Sequence, residues 1–206
     1  MKYGDLLNKY KKLTACNSIM NEMGTKLLFH SVLGAYFKRK IIRWGVTNKD
    51  VRVHPLWLQD SRTGKDQALK VAKDIAENLN LRVVMLTDIT DPSALIGSYS
   101  PEIHQLNEKN GVSREEPIRE KRDGSTVEFQ DPIIYGDLYY NDIIMFSESK
   151  LLFQMNQNSQ KLLTNLQPAL DYPGFVYKKM KYEEPITFYC DTTLMMVSIP
   201  FKEMKK

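Results

Sequence analysis

"LWLQDSRTGKDQAL", Leu56 to Leu69, is the stretch on which the reading of this chain turns. Three apolar residues run into a polar segment, then into Gly64-Lys65 and a sequence able to form a helix. That is the rhythm of a phosphate-binding loop, where successive backbone N–H groups, a helix N-terminus and a lysine ammonium converge on one anion. Two positions depart from the usual G-x-x-x-x-G-K-[ST] pattern: Gln59 stands where the first glycine belongs, and Asp66 where a hydroxyl belongs. The stretch therefore reads as a nucleotide site, as a decayed one, or as chance spacing.

Working outward, Val51 to Leu58 reads as a strand, and Gly64 to Leu79 as a helix whose Ala68, Ala72, Ile75, Ala76 and Leu79 share a face. "RVVMLTDIT", Arg82 to Thr90, is a β-branched apolar run stopped by Asp91-Pro92, the mark of a buried strand. Strand, glycine loop, helix, strand is the opening of a parallel α/β sheet. Upstream, apolar residues from Ile19 to Ile42 keep returning to one helical face, so residues 1–48 are assigned to an N-terminal helical segment and 49–206 to the α/β core. Lys38, Arg39, Lys40 and Arg43 cluster at the end of that segment, before a polar connection at Thr47 to Asp50. They read as a solvated helix end favoured by the dipole, or as a nucleic-acid contact.

Downstream, Ser98 to Asp131 is polar, and "KRDGSTVEF" places Asp123-Gly124 as a hairpin turn. "DIIMFSES", Asp142 to Ser149, is a second buried strand, followed by a helix from about Leu151 to Leu166. Pro173-Gly174 marks another hairpin or loop, and "TTLMMVSIP", Thr192 to Pro200, a third buried strand. In phosphoryl-transfer sites a second strand presents acidic groups, one for the magnesium shell and one for the attacking water. Glu148 stands where the water-orienting glutamate belongs, and Ser198 ends the third strand as a small polar residue.

The bulk numbers leave this open. The 206 residues suit one substantial domain, and 42% hydrophobic with 26% charged residues is a folded composition. A formal charge of +4 permits a polyanionic partner without demanding one. Two cysteines, Cys16 and Cys190, give neither a disulfide framework nor a metal cluster. His30, His54 and His104 are scattered, without the spacing of a zinc site or a nucleophile-base pair. No apolar run approaches the roughly 18 residues needed to span a bilayer. A cytoplasmic setting is expected, in a prokaryotic cell or a virus-infected host.

Three segments carry a family resemblance. "QDSRTGKDQ", "REKRDGSTVEFQDPIIYGDLYYNDIIMFSES" and "LQPALDYPGFVYKKMKYEEPITFYCDTTLMMVSIP" are similar in order and spacing to AAA+ P-loop ATPases, closest to the minichromosome-maintenance helicases and MoxR-type ATPases. The resemblance covers about Val51 to Pro200 and lies more in spacing than in identical letters. It implies a three-layer P-loop NTPase core with a mainly parallel sheet and β-hairpin insertions, and a cofactor pair of ATP and Mg2+. Gln59, Asp60, Ser61, Arg62, Thr63, Gly64, Lys65, Asp66 and Gln67 would form the nucleotide loop; Lys65, Glu148 and Ser198 would serve catalysis; Asp66 and Ser147 would arrange the metal.

The departures from the family are specific. Asp66 replaces the hydroxyl that ligates magnesium, and Ser147 the Walker B aspartate. The two changes read as a reciprocal swap that preserves one carboxylate and one hydroxyl, or as decay in which Asp66 repels the phosphates. Ser198 is a shorter substitute for the family's sensor asparagine, displaced by one place, and reads equally as an ordinary strand-end serine. The sequence ends six residues after Pro200, before the family's arginine finger and C-terminal lid. The resemblance therefore implies a longer gene or a second polypeptide supplying those parts, within a homo- or hetero-oligomeric ring.

Lys121 and Arg122 flank the Asp123-Gly124 turn, while Lys178, Lys179 and Lys181 follow Pro173-Gly174 among Phe175, Tyr177 and Tyr182. By the resemblance these are two basic hairpins that grip DNA phosphates; by themselves they are solvated turns. The aromatic neighbours either stack on single-stranded bases or face the core. The expected function is an ATP-binding subunit of a DNA replication helicase or related DNA-translocating motor, phage- or archaeal-like. The alternatives are a scaffold or loader subunit with a decayed site, and a MoxR-like chaperone that remodels protein.

Overall fold

The structure, a computed structural model, describes residues 3–13, 19–38, 40–60, 62–87, 92–149, 157–180 and 184–200. Helices α1 (Tyr3–Leu13) and α2 (Ile19–Tyr36) precede a hairpin of β1 (Ile41–Trp44) and β2 (Thr47–Asp50). There follow β3 (Leu56–Leu58), α3 (Lys65–Asn78), β4 (Val83–Leu86), α4 (Pro92–Ile96), β5 (Gly97–Tyr99) and α5 (Pro101–Asn110). The second half contains β6 (Ile118–Glu120), β7 (Thr126–Glu128), β8 (Ile133–Tyr135), α6 (Asp137–Tyr140) and β9 (Ile143–Phe146). It ends with α7 (Gln157–Leu170), β10 (Phe175–Lys178), β11 (Ile186–Tyr189) and β12 (Thr193–Ser198).

Four strands form the central sheet, in the order β3-β12-β9-β4, and every pair is parallel. Parallel strands cannot be joined by tight turns, so each connection carries a helix or more. Strands covered on both faces read as unbroken apolar runs, which is why "IIMF" and "TLMMVS" are buried from end to end. Their alternation divides the core in two. Ile143, Met145, Met195 and Val197 join α2 and α3 through Leu28, Val32, Leu69 and Ala72. Ile144, Phe146, Leu194 and Met196 face the other way, toward Leu162, Leu166 and Ala169 of α7 and toward Val176, Ile186 and Phe188 of the β10–β11 hairpin. The chain is thus an α/β fold with helices on both faces of a parallel sheet.

The N-terminal helices belong to this core. Tyr10 of α1 is 1% exposed and donates a hydrogen bond to the Ala68 carbonyl of α3 at 3.0 Å. At Gly24 of α2 any Cβ would overlap the indole of Trp57, so the glycine sets the approach of α2 to β3. The boundary drawn at 48/49 falls inside β2, and the helices before it share one hydrophobic cluster with α3 and the sheet.

Several boundaries differ from the expectation. The helix read from Ile19 to Ile42 ends at Tyr36, and the polar connection expected at Thr47 to Asp50 is a strand paired with Ile41–Trp44. Gly45, with φ 61, makes that turn possible, and short apolar spacing at Ile41 and Ile42 does not distinguish helix from strand. The strand expected over Val51 to Leu58 is confined to its last three residues, because the preceding segment is held by a side chain. Arg52, 8% exposed, pairs with Asp50 and donates to the carbonyls of Cys190, Thr192 and Asp171 at 3.2, 3.1 and 3.0 Å. Pro173-Gly174 precedes β10 and does not form the β10–β11 turn, which lies after Lys178.

Candidate functional site

The register brings three of the sequence-predicted residues to one edge of the sheet. Met196 lies opposite Phe146 across the β12–β9 pair, so two residues further on Ser198 comes level with Glu148. The Ser198 hydroxyl donates to Glu148 Oε1 at 2.5 Å, and Ser198 is fully buried. On its other side Ser198 is opposite Leu58, and its carbonyl accepts from the Gln59 amide at 3.0 Å. The 59–64 loop therefore begins on Ser198, at the carboxyl edge of the strands, and ends at the first residue of α3. Open α/β sheets bind ligands in the crevice beyond the carboxyl ends of their strands. Ser147 is held at the same edge, its amide donating to the Leu86 carbonyl at 3.1 Å.

The loop makes two left-handed steps. Arg62 has φ 63 and Gly64 φ 91, with Thr63 between them donating its hydroxyl to the Asp60 carbonyl at 2.8 Å. Lys65 opens α3 and is 4% exposed. Among the described residues its ammonium donates no hydrogen bond, and its one ion pair is a long 4.0 Å approach to Asp66. A cation at the first residue of a helix, beside the unpaired N–H groups of its first turn, is chemically able to meet an anion. Asp66 and Gln67 are exposed in the first turn of α3, Asp60 and Arg62 are exposed in the loop, and Gln59 and Thr63 are half-buried. Ser61 lies outside the described residues.

Asp66 of α3 and Ser147 after β9 offer a carboxylate and a hydroxyl, hard oxygen donors of the kind that magnesium takes. Among the described residues no group of three or more His, Cys, Asp or Glu side chains is placed to hold a metal by itself.

Farther from the edge, β6 and β7 form the hairpin predicted at Asp123-Gly124, and Gly124 adopts φ 80 at its turn. Lys121 and Arg122 are exposed there. In the β10–β11 hairpin Phe175, Tyr177 and Tyr189 are 38%, 51% and 76% exposed, while Val176, Ile186 and Phe188 point inward, so Phe175 and Tyr177 face solvent and not the core. Lys178 is placed differently from the DNA-gripping role expected of it. Its ammonium is half-buried and donates to the Gly97 carbonyl at 2.7 Å and the Ser93 hydroxyl at 3.1 Å. Lys179 is exposed, and Lys181 and Tyr182 lie outside the described residues. In the basic cluster after α2, Lys38 forms a 2.7 Å ion pair with Asp142, whereas Lys40 and Arg43 are exposed.

Two structural roles escaped the sequence reading. His54 is the first: its Nδ1 accepts the Leu194 amide at 3.1 Å, so the ring is neutral with its proton on Nε2. Burial, with Arg52 adding to it, lowers its pKa from 6.5 to about 4. Asp142 is the second. Burial alone would raise its pKa, but hydrogen bonds from Lys38 and from Arg82 outweigh that and lower it. The left-handed backbone at Arg62 had no sequence signal beyond an arginine close to a glycine turn.

No protein-family model matches the chain, and no characterised protein matches it at a significant level. Among the described residues no helix is long and apolar enough to cross a membrane.

Proposed function

We propose that this chain is the nucleotide-binding subunit of an ATP-driven DNA motor, built on a P-loop core of the AAA+ kind. The carrying observation is Lys65: a residue 4% exposed at the N-terminus of a 14-residue helix, whose ammonium makes no hydrogen bond among the described residues and only a 4.0 Å ion pair with Asp66. A triphosphate laid on the 59–64 loop would supply an acceptor and meet the helix dipole at its positive end. Glu148, which accepts a 2.5 Å hydrogen bond from the buried hydroxyl of Ser198, would orient the attacking water. Magnesium, drawn to Asp66 and Ser147, would neutralise phosphate charge, and the carboxylate-for-hydroxyl exchange leaves the protein's donor set chemically unchanged.

DNA is the proposed partner, within a ring of such subunits. Support comes from Lys121, Arg122 and Lys179 on exposed hairpin positions, and from Phe175, Tyr177 and Tyr189 on the outer face of a β-ribbon, where bases can stack. The scaffold reading draws on Asp66, whose exposed carboxylate stands at the loop where phosphates would lie. Turnover and binding separate the two. In the motor reading Glu148→Gln keeps MgATP affinity within about threefold and lowers turnover at least tenfold. Equal turnover by wild type and Glu148→Gln, or no MgATP binding by either, refutes it.

A further inference from the structure

We propose that the β1–β2 hairpin is a membrane-docking arm, which seats exposed apolar side chains and basic residues on an anionic lipid surface. The inference stands apart from the nucleotide reading and uses none of its residues. From Tyr36 to Lys49 the sequence carries Lys38, Arg39, Lys40, Arg43 and Lys49 and no acidic residue. Among these cations stand large side chains that the fold leaves in solvent: Tyr36, Phe37, Ile41, Ile42 and Val46, at 49%, 47%, 52%, 52% and 98% exposure. Surface apolar residues scattered singly are ordinary, whereas a contiguous run of them marks a protein or membrane contact.

The arm is anchored at both ends. On its N-terminal side Lys38 forms a 2.7 Å ion pair with Asp142, directly before β9. On its C-terminal side the buried Arg52 pairs with Asp50 and donates to the carbonyls of Cys190 and Thr192, directly before β12. Between these anchors every described side chain from Ile41 to Lys49 is exposed. A two-stranded ribbon that buries nothing is marginally stable by itself, so the apolar burial that this one lacks within the chain comes from the lipid. Both anchors lie at the amino edge of the sheet, opposite the edge where Ser198 meets Glu148, and a docked arm leaves that edge open.

Charge selects the occupant. Lys49 is partly offset by Asp171 at 3.5 Å, which leaves Lys40 and Arg43 as the main cations of the face. An isologous contact with a second copy would set these cations against their own kind. Nucleic acid satisfies the cations but gives Ile41, Ile42 and Val46, which have no ring to stack, little to pack on. An anionic bilayer supplies both phosphates and an apolar boundary. Open strand edges do not enter the hydrocarbon core, so the arm lies at headgroup depth and does not span. A groove of about 390 Å³ between α2 and Val51, lined in part by Leu33, Phe37 and Lys40, continues the same face inward.

The test is flotation of the full chain with vesicles of phosphatidylcholine alone and of equimolar phosphatidylcholine and phosphatidylglycerol. Wild type is expected to float with the anionic vesicles and not with the neutral ones. Ile42→Ser with Val46→Ser keeps the charge, and Lys40→Gln with Arg43→Gln keeps the apolar residues; each pair should weaken binding about tenfold or more at an unchanged melting temperature. Val46→Ser alone, at a side chain 98% exposed, should weaken it without touching the fold. Wild type that stays off the anionic vesicles overturns the proposal, as does equal binding by wild type and all variants. Loss confined to the Lys40 and Arg43 pair, with the same loss on single-stranded DNA, assigns the arm to nucleic acid instead. Concentration-dependent dimers dissolved by Val46→Ser assign it to a second copy.

Discussion

Lys65 is 4% exposed, and among the described residues its ammonium makes only a 4.0 Å ion pair with Asp66, so a charge held there is expected to cost the ligand-free protein some stability. Lys65→Met keeps the stem and removes the charge, so it should raise unfolding stability in the absence of ligand by about 1 kcal/mol, read by denaturant titration. His54 makes a second residue-scale prediction. Its folded pKa, about 4, lies below the unfolded value of 6.5. Above pH 6.5 the ring is neutral in both states and its contribution is fully present. As pH falls from 6.5 toward 4 the unfolded chain takes up a proton that the folded chain refuses, and roughly 3 kcal/mol is lost. His54→Gln, which retains an acceptor for the Leu194 amide, should flatten stability across that window; an unchanged pH profile would show that His54 does not govern it.

At the scale of elements, what the sequence made legible follows from pattern length. The buried strands at Ile143–Phe146 and Thr193–Ser198, the helix after Gly64 and the Asp123-Gly124 hairpin were readable because unbroken apolar runs, a 14-residue periodicity and a turn dipeptide each admit few alternatives. The β1–β2 hairpin was not, because four-residue strands carry too little periodicity to be told from a helix end. Helix α5 went unread although Ser100 caps it, Pro101 starts it and Gly111 ends it at φ 64, signals masked by a face with almost no apolar residues. The inward turn of Lys178 was beyond sequence reasoning, since it depends on Gly97 and Ser93 arriving from another part of the chain. The edge between α3 and β9 yields a prediction of its own. If Asp66 and Ser147 are exchanged partners, Asp66→Ser combined with Ser147→Asp should keep or raise ATP turnover while each single change lowers it about tenfold or more. A double variant no better than either single one would contradict the exchange.

Across the whole molecule, the sheet order β3-β12-β9-β4 brings together residues 89 and 50 positions apart in the chain: Ser198 lies between the loop that starts at Gln59 and the strand end that carries Glu148. The candidate residues were legible as residue types, but the Ser198–Glu148 contact is a product of register. The basic and aromatic hairpin surfaces project from the same chain, so DNA affinity should depend on them and on salt. Replacing Lys121, Arg122 and Lys179 together with Glu should lower retention on single-stranded DNA at least tenfold at moderate salt without lowering the melting temperature; unchanged retention would remove DNA as the partner.

The most direct measurement is a calorimetric titration of the full chain with MgATP, alongside Lys65→Ala. A phosphate site centred on Lys65 predicts saturable binding by wild type with about one ATP per chain, and at least a tenfold loss in the variant. Equal affinities, or no heat of binding from wild type, would contradict it.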